Sequence, residues 1–438
     1  MRDIFVTVVV FGALLLVFKH PHYGIYLWSW LGYMNPHKLA WGFALNIPFA
    51  LMTAVVTLTV YLLSKEPKRL PWTPETILLV VFLGWVTFTT FFAFYPQLAW
   101  EQWDKVLKIQ IMTLLTAMLI TNRKRLEGLV WVIALSIAFY GVKGGIFTIL
   151  KGGVYHVQGP ATTFIAGNNE LGLAMIMTIP LLRYLHLQAQ NKLIRLGLAA
   201  SMVLTGLAAI GTQSRGALLA AAAMGGLLWL KSRNKATTAI YIVMAVGLIA
   251  VIMPQEYWDR MHTIKTYQED ASAMGRINAW HTAFNVAKDH ITGGGFEAFQ
   301  APTFGLYAPD PDNVHDVHSI YFEVLGEHGF IGLGIFLLIG LLAWRTGSKV
   351  IRECRREPDR KWAADLAAMT QVSMVGYATG GAFLGLAYFD YYYHLVIILV
   401  LTYQIAIKNT WGTLGQDKPA DSGASQATRL TSVFGRSA

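Results

Sequence analysis

The chain has 438 residues, of which 55% are hydrophobic and only 14% charged, and its net charge is +10. Soluble domains carry about 25% charged residues, so this balance excludes an ordinary soluble protein. The positive excess fits loops facing anionic lipid rather than a nucleic-acid partner, and a single cysteine, Cys354, excludes a disulfide framework within the chain.

Apolar segments near 4–18, 46–64, 75–95, 105–121, 126–150, 169–186, 194–210, 215–230, 236–253, 318–344, 363–383 and 391–408 predict an all-α polytopic membrane protein with about twelve transmembrane helices. The first resembles a signal peptide. However, His20, Pro21 and His22 stand where a small-residue cleavage site would lie, so it reads as an uncleaved span. The aromatic stretch "YGIYLWSWLGYM" at 23–34 is too short to cross and reads as an interfacial or re-entrant piece.

Basic loops at 64–69, 122–125, 191–195, 231–235 and 345–361, and the tail after Lys408, alternate with poorer ones. That alternation puts the rich loops in the cytoplasm and, with the first span counted, both termini there as well. The chain then divides into nine helices over 1–253, a long periplasmic loop over 254–317, three helices over 318–408, and a polar, disordered cytoplasmic tail over 409–438. A loop of that length between tight hairpins is usually functional. It contains an expected amphipathic helix over 275–290, with Arg276, Trp280, Ala283 and Ala287 on one face, and then a "GGGF" break at 293–296.

Candidate chemistry gathers around that loop. At 100° per residue, His318-Ser319 and the Gly329-Phe330-Ile331-Gly332 quartet eleven residues later fall on one stripe of one helix. The glycines would admit a neighbouring helix. His318 would lie near the water boundary, either as a proton acceptor or as a helix-capping side chain. Arg215 heads a span of Ala, Gly and Leu at its outward end, against the positive-inside pattern. It is either functional or snorkelling to lipid phosphates. Arg276 is placed at the start of the loop helix, where an anion could be shared by its guanidinium and the free N–H groups. Two arginines can grip a diphosphate bidentately. Lys143, inside a span, could extend the same site or snorkel outward. Glu323 and Glu327 are expected to face other helices or the loop. His315, Asp316, His318 and Asp312 could in principle hold a metal, although the reading favours none. The cluster "YFDYYYH" at 388–394 reads as an interface belt.

The pattern of His318-Ser319, nine residues, then Gly329-x-x-Gly332 resembles the signature of bacterial O-antigen ligases. So do the preceding loop, the "SRG" at 214–216 and the "GRINAW" at 275–280. The N-terminal "HPHYGIYLWSWLGYMNPHKLAWGF" resembles a subgroup described as exosortase-associated O-glycosylation ligases. The resemblance implies a C-type membrane glycosyltransferase-like fold in the bacterial inner membrane. It also implies metal-independent, inverting transfer of a glycan from undecaprenyl diphosphate to a lipid A-core acceptor at the periplasmic face. On that basis His318 is the general base, while Arg215 and Arg276, extended by Lys143, bind the diphosphate. Trp280, His315 and Glu327 are candidate acceptor or loop contacts, the GGGF break lets the loop move over the donor, and no cofactor is needed. A protein O-glycosylation ligase and an O-antigen polymerase would use the same donor. A lipid-linked glycan transporter is the reading from another class, with its ionisable residues expected near the midplane.

Overall fold

The computed structural model describes residues 1–232, 234–255 and 271–408. The expected tail over 409–438 and part of the expected loop lie outside these residues. Among the described residues the chain is all-helical, without a strand. That suits a segment passing through hydrocarbon, where each backbone N–H and C=O must be satisfied internally.

The helices are α1 (Arg2–Lys19), α2 (His22–Met34), α3 (Phe49–Leu63), α4 (Pro74–Thr90), α5 (Pro96–Leu119), α6 (Arg123–Leu150), α7 (Asn168–Gln188), α8 (Lys192–Gly211), α9 (Arg215–Lys231), α10 (Lys235–Ile252), α11 (Ala271–Asp289), α12 (Ala301–Tyr307), α13 (Ile320–Cys354), α14 (Lys361–Gly380) and α15 (Asp390–Tyr403). Each of the twelve apolar segments holds one of them. Among the described residues, five helices are long and apolar enough by themselves to cross a membrane: α6, α7, α8, α13, and α15 with its continuation to Lys408.

Local chemistry sets the boundaries. Asn122, Ser214 and Asn191 cap α6, α9 and α8 with side-chain oxygens that accept first-turn N–H groups. Close packing then comes from small residues. A Cβ on Gly141 or Gly145 of α6 would stand 2.2 Å from Thr205 Oγ1 or 2.3 Å from the Leu204 carbonyl oxygen of α8, so glycine sets the α6–α8 distance.

Side-chain contacts gather the basic loops at one end of the bundle. Arg125 pairs with Glu66 at 2.7 Å, and the Arg123 guanidinium lies 4.8 Å from the centre of the Trp362 ring. Lys349 donates to Tyr403 Oη at 2.9 Å, which brings the end of α15 to the same place.

Two expectations fail here. The segment 23–34 is not an interfacial piece: it forms α2, a helix of 13 residues and about 20 Å. Tyr26 Oη donates to the Arg125 carbonyl at the basic end of α6, and Tyr140 Oη of α6 donates to the Met34 carbonyl further along. α2 therefore runs beside α6, away from the basic end. Being enclosed by α1, α3, α5 and α6, it does not need the length of a lone span. The second failure follows from the first. His20, Pro21 and His22 turn the chain at the basic end, and Asp3 at the other end of α1 accepts from the N–H groups of Gly42 and Ala44. The start of α1 and residue 408 thus lie at opposite ends of the bundle, whereas the expected topology put both at the same end. The extra helix reverses the direction of α1.

Candidate functional site

α13 is interrupted at Gly329, whose φ of 68° and ψ of −174° belong to no helix. This region is essentially restricted to glycine, and a Cβ there would lie 2.3 Å from the Ile291 carbonyl oxygen. The single continuous stripe expected from His318 to Gly332 is therefore wrong. The interruption rotates the two halves of the helix relative to one another, and His318 and Ser319 precede the helix, which starts at Ile320.

A break in a spanning helix strands carbonyls, and the structure satisfies three of them from outside. Gly294 N–H donates to the Gly326 carbonyl and Gly295 N–H to that of Glu327, both at 2.8 Å. The Trp85 indole of α4 donates to the His328 carbonyl at 2.9 Å. The GGGF stretch, expected as a moving break, is thus docked into the interruption of α13, and its lack of side chains is what lets it reach that backbone. A Cβ on Gly332 would meet Trp85 Nε1 at 3.2 Å, so α4 approaches α13 closely there.

His318 sits on the connection into α13. It is half-buried, its φ is +40°, and its Nδ1 is 3.4 Å from Asp316 Oδ2. Histidine tolerates this left-handed region better than most residues, and such strain concentrates at functional sites. The Trp280 indole donates to the Val317 carbonyl at 2.8 Å and stacks on Phe322 with ring centres 5.0 Å apart. Trp280 of α11 thereby fixes the backbone next to the imidazole. Among the described residues, Ser319 Oγ is buried with no hydrogen-bond partner. The His315 ring packs where a Cβ on Gly275 would lie, at 2.7 Å. Among the described residues, no three His, Cys, Asp or Glu side chains converge as a ligand set.

The two arginines, 61 positions apart by their numbering, line one cleft of about 250 Å³ together with Asn169, Ser272, Phe383 and Leu384. Arg215 opens α9 behind its Ser214 cap, and Asn169 stands in the first turn of α7. Two helix N-termini, with their unsatisfied N–H groups and positive dipole ends, therefore border the guanidinium groups and favour an anion. The expected help from the start of α11 is absent, because that helix already runs from Ala271 and Arg276 lies beyond its first turn.

The cleft and His318 are neighbours. Arg276 is one turn before Trp280, Trp280 lies 6.3 Å ring to ring from the cleft residue Phe383, and a Cβ on Gly385 would lie 3.6 Å from Asp316 Oδ2. Lys143 does not line this cleft and is exposed on α6. Gly141, Gly144 and Gly145 take the packed face, so the helical phase turns Lys143 outward.

Glu327 is buried. It accepts from Tyr388 Oη at 2.5 Å and from Glu297 N–H at 2.8 Å, bracing α13 against the loop. Glu323 accepts from Ala387 N–H at 3.0 Å. Burial holds the Glu297 carboxyl above the ordinary range; Lys105 opposes this and the Asp316 charge adds to it. Tyr388 and the rest of the 388–394 cluster are buried rather than forming an interface belt. Tyr391 meets Thr178, Tyr393 the Ala387 carbonyl, and His394 Tyr33, so interior partners satisfy their polar tips. Asn169 and Ser272 escaped the reading of the sequence, and Tyr388 entered it only as part of the aromatic cluster. Of these, only Asn169 left a signal, in the polar "GNNE" that opens an apolar helix.

Residues 1–190 match the model of a family of unknown function, DUF5935, and residues 200–337 match the model of the family described as O-Antigen ligase. No curated protein was found to match the chain. Arg215, Arg276 and His318, the residues that the structure brings to one place, all fall within the second region. Residues 200–337 are thus similar to the O-antigen ligase family, and the three residues of the site lie within that similarity.

Proposed function

We propose that the protein transfers a glycan from undecaprenyl diphosphate to an acceptor hydroxyl at the outer face of the bacterial inner membrane, with the lipid A core as acceptor in lipopolysaccharide maturation. The similarity of residues 200–337 to the O-antigen ligase family supports glycosyl transfer in polysaccharide processing. The observation that carries the finer reading is the convergence of Arg215 and Arg276 on one cleft beside the His318 segment.

In the mechanism, Asp316 faces Nδ1 of His318 and leaves Nε2 to take the proton of the acceptor hydroxyl. The freed oxygen attacks the anomeric carbon, the bond from that carbon to the diphosphate oxygen breaks, and the configuration inverts. The electron pair leaves with the carrier diphosphate. Arg215, Arg276 and the N-termini of α7 and α9 stabilise its charge in a site shielded from bulk water. The proposed architecture is the twelve-crossing, C-type glycosyltransferase arrangement, with α2 added beside α6. The cleft borders the non-basic ends of α7 and α9, which favours an enzyme acting at the outer face over a transporter with a midplane site.

Purified protein given undecaprenyl-diphosphate glycan and, separately, lipid A-core or peptide acceptors tests this directly. Transfer to the lipid A core is the expected result. Transfer to peptide alone would reassign the acceptor, glycan elongation would make the protein a polymerase, and no transfer to any acceptor would refute the proposal.

A further inference from the structure

Two cavities away from the arginine cleft share one seam. An apolar groove of about 210 Å³ runs between α13 and α14, past Phe336, Leu337, Gly340 and Trp344 on one side and Met374 and Ala378 on the other. Toward the basic end of the bundle it meets a cleft of about 860 Å³ bordered by Lys231, Arg352, Arg355 and Arg356. Trp344 joins the two. The Lys231 ammonium lies 5.0 Å from its ring centre and donates to Gln371 Oε1 at 2.7 Å, and Gln371 Nε2 donates to the Trp344 carbonyl at 2.8 Å.

Among the described residues, the cations in this cleft have no ion-pair partner within salt-bridge distance. The ion pairs of the neighbouring helix ends are Arg360 with Glu357 and Lys361 with Asp365. Glu353 is on the same stretch of α13 but does not border the cleft. Among the described residues, none of Arg352, Arg355 and Arg356 forms an ion pair. Basic loops that only set orientation would need no cavity. A free anion would suit the cations but leave the adjoining groove without a role, and a neutral lipid would fill the groove but leave four positive charges unanswered.

We propose that this seam binds an anionic phospholipid of the bilayer, with an acyl chain in the α13–α14 groove and the phosphate among Lys231, Arg352, Arg355 and Arg356. The bound lipid would tie α13, which begins two residues after His318, to α14 and α9. This site is independent of the reaction proposed above.

Native mass spectrometry of the full chain in neutral detergent tests the proposal, with phosphatidylglycerol, phosphatidylcholine and inorganic phosphate as probes. Each basic side chain near an anionic headgroup is worth about fivefold in binding. The combined Arg352→Gln, Arg355→Gln and Arg356→Gln variant should therefore lose phosphatidylglycerol affinity on the order of a hundredfold, down to the level of phosphatidylcholine. The corresponding triple lysine variant should keep most of it. Leu337→Trp fills the groove without changing charge or orientation signals, and should weaken phosphatidylglycerol binding as well. Undiminished preference in the glutamine variant would overturn the proposal. Displacement of the lipid by inorganic phosphate would show a free-anion site instead, and unchanged binding to Leu337→Trp would remove the acyl chain from the groove.

Discussion

Among single residues, groups proposed to grip the substrate respond to substitution differently from groups that hold them in place. Arg276→Lys preserves charge but loses the planar fork, and we expect transfer to fall at least about tenfold, with the loss shared between donor binding and turnover. Titration of donor against initial rate checks this. Tyr388→Phe removes the hydroxyl that donates to the buried Glu327 and leaves an acceptor without its partner. That change costs about 1–3 kcal/mol and should appear as a lower melting temperature, with little change in rate per folded molecule. Arg215 stood out in the sequence because a lone cation at the end of an apolar helix away from the basic loops has few structural uses. Lys143 looked equivalent by depth alone. Its direction depends on which face the adjacent glycines present to α8, and a list of residues does not reveal that phase.

Among the elements, the interruption of α13 and the docked glycine loop form one unit. Gly329→Ala forces a side chain into a left-handed backbone and against the Ile291 carbonyl, and we expect destabilisation of at least about 1–3 kcal/mol, measured by unfolding in detergent. The turn after α2 supplies a test with acid. His37 is held at about 4, below its ordinary 6.5, mainly by burial and further by Lys38, and its buried Nδ1 has no partner among the described residues. The unfolded chain takes up this proton near pH 6.5, whereas the folded one does not until about pH 4. The stability that neutral His37 contributes is therefore complete above the unfolded value and is lost as pH falls through that window. His37→Gln should make the melting temperature less sensitive to pH between those two values. The loop helix was readable from its 3.6-residue pattern, but the interruption of α13 was not. A glycine in a spanning helix suggests close approach of a partner, and only the coordinates distinguish that from a reversed φ. The aromatic run at 388–394 misled for a related reason, since an interface belt and a satisfied aromatic core have the same composition and differ only in what the hydroxyls meet.

For the whole molecule, the alternation of charged loops made most of the bundle legible, and its one error came from a length rule applied to a helix that neighbours enclose. Counting α2 puts the start of α1 at the end opposite residues 64–69. Single cysteines introduced near residue 1 and near Glu66, with Cys354 replaced, should therefore react with a membrane-impermeant thiol reagent from opposite sides of a sealed vesicle. The central claim remains that an imidazole beside two guanidinium groups removes the proton of an incoming alcohol. The most direct measurement is single-turnover transfer by reconstituted His318→Ala protein with the lipid-linked donor already bound. The expected outcome is unchanged donor binding and a transfer rate lowered by about 10²–10⁴-fold. A rate close to that of the unaltered protein would contradict it.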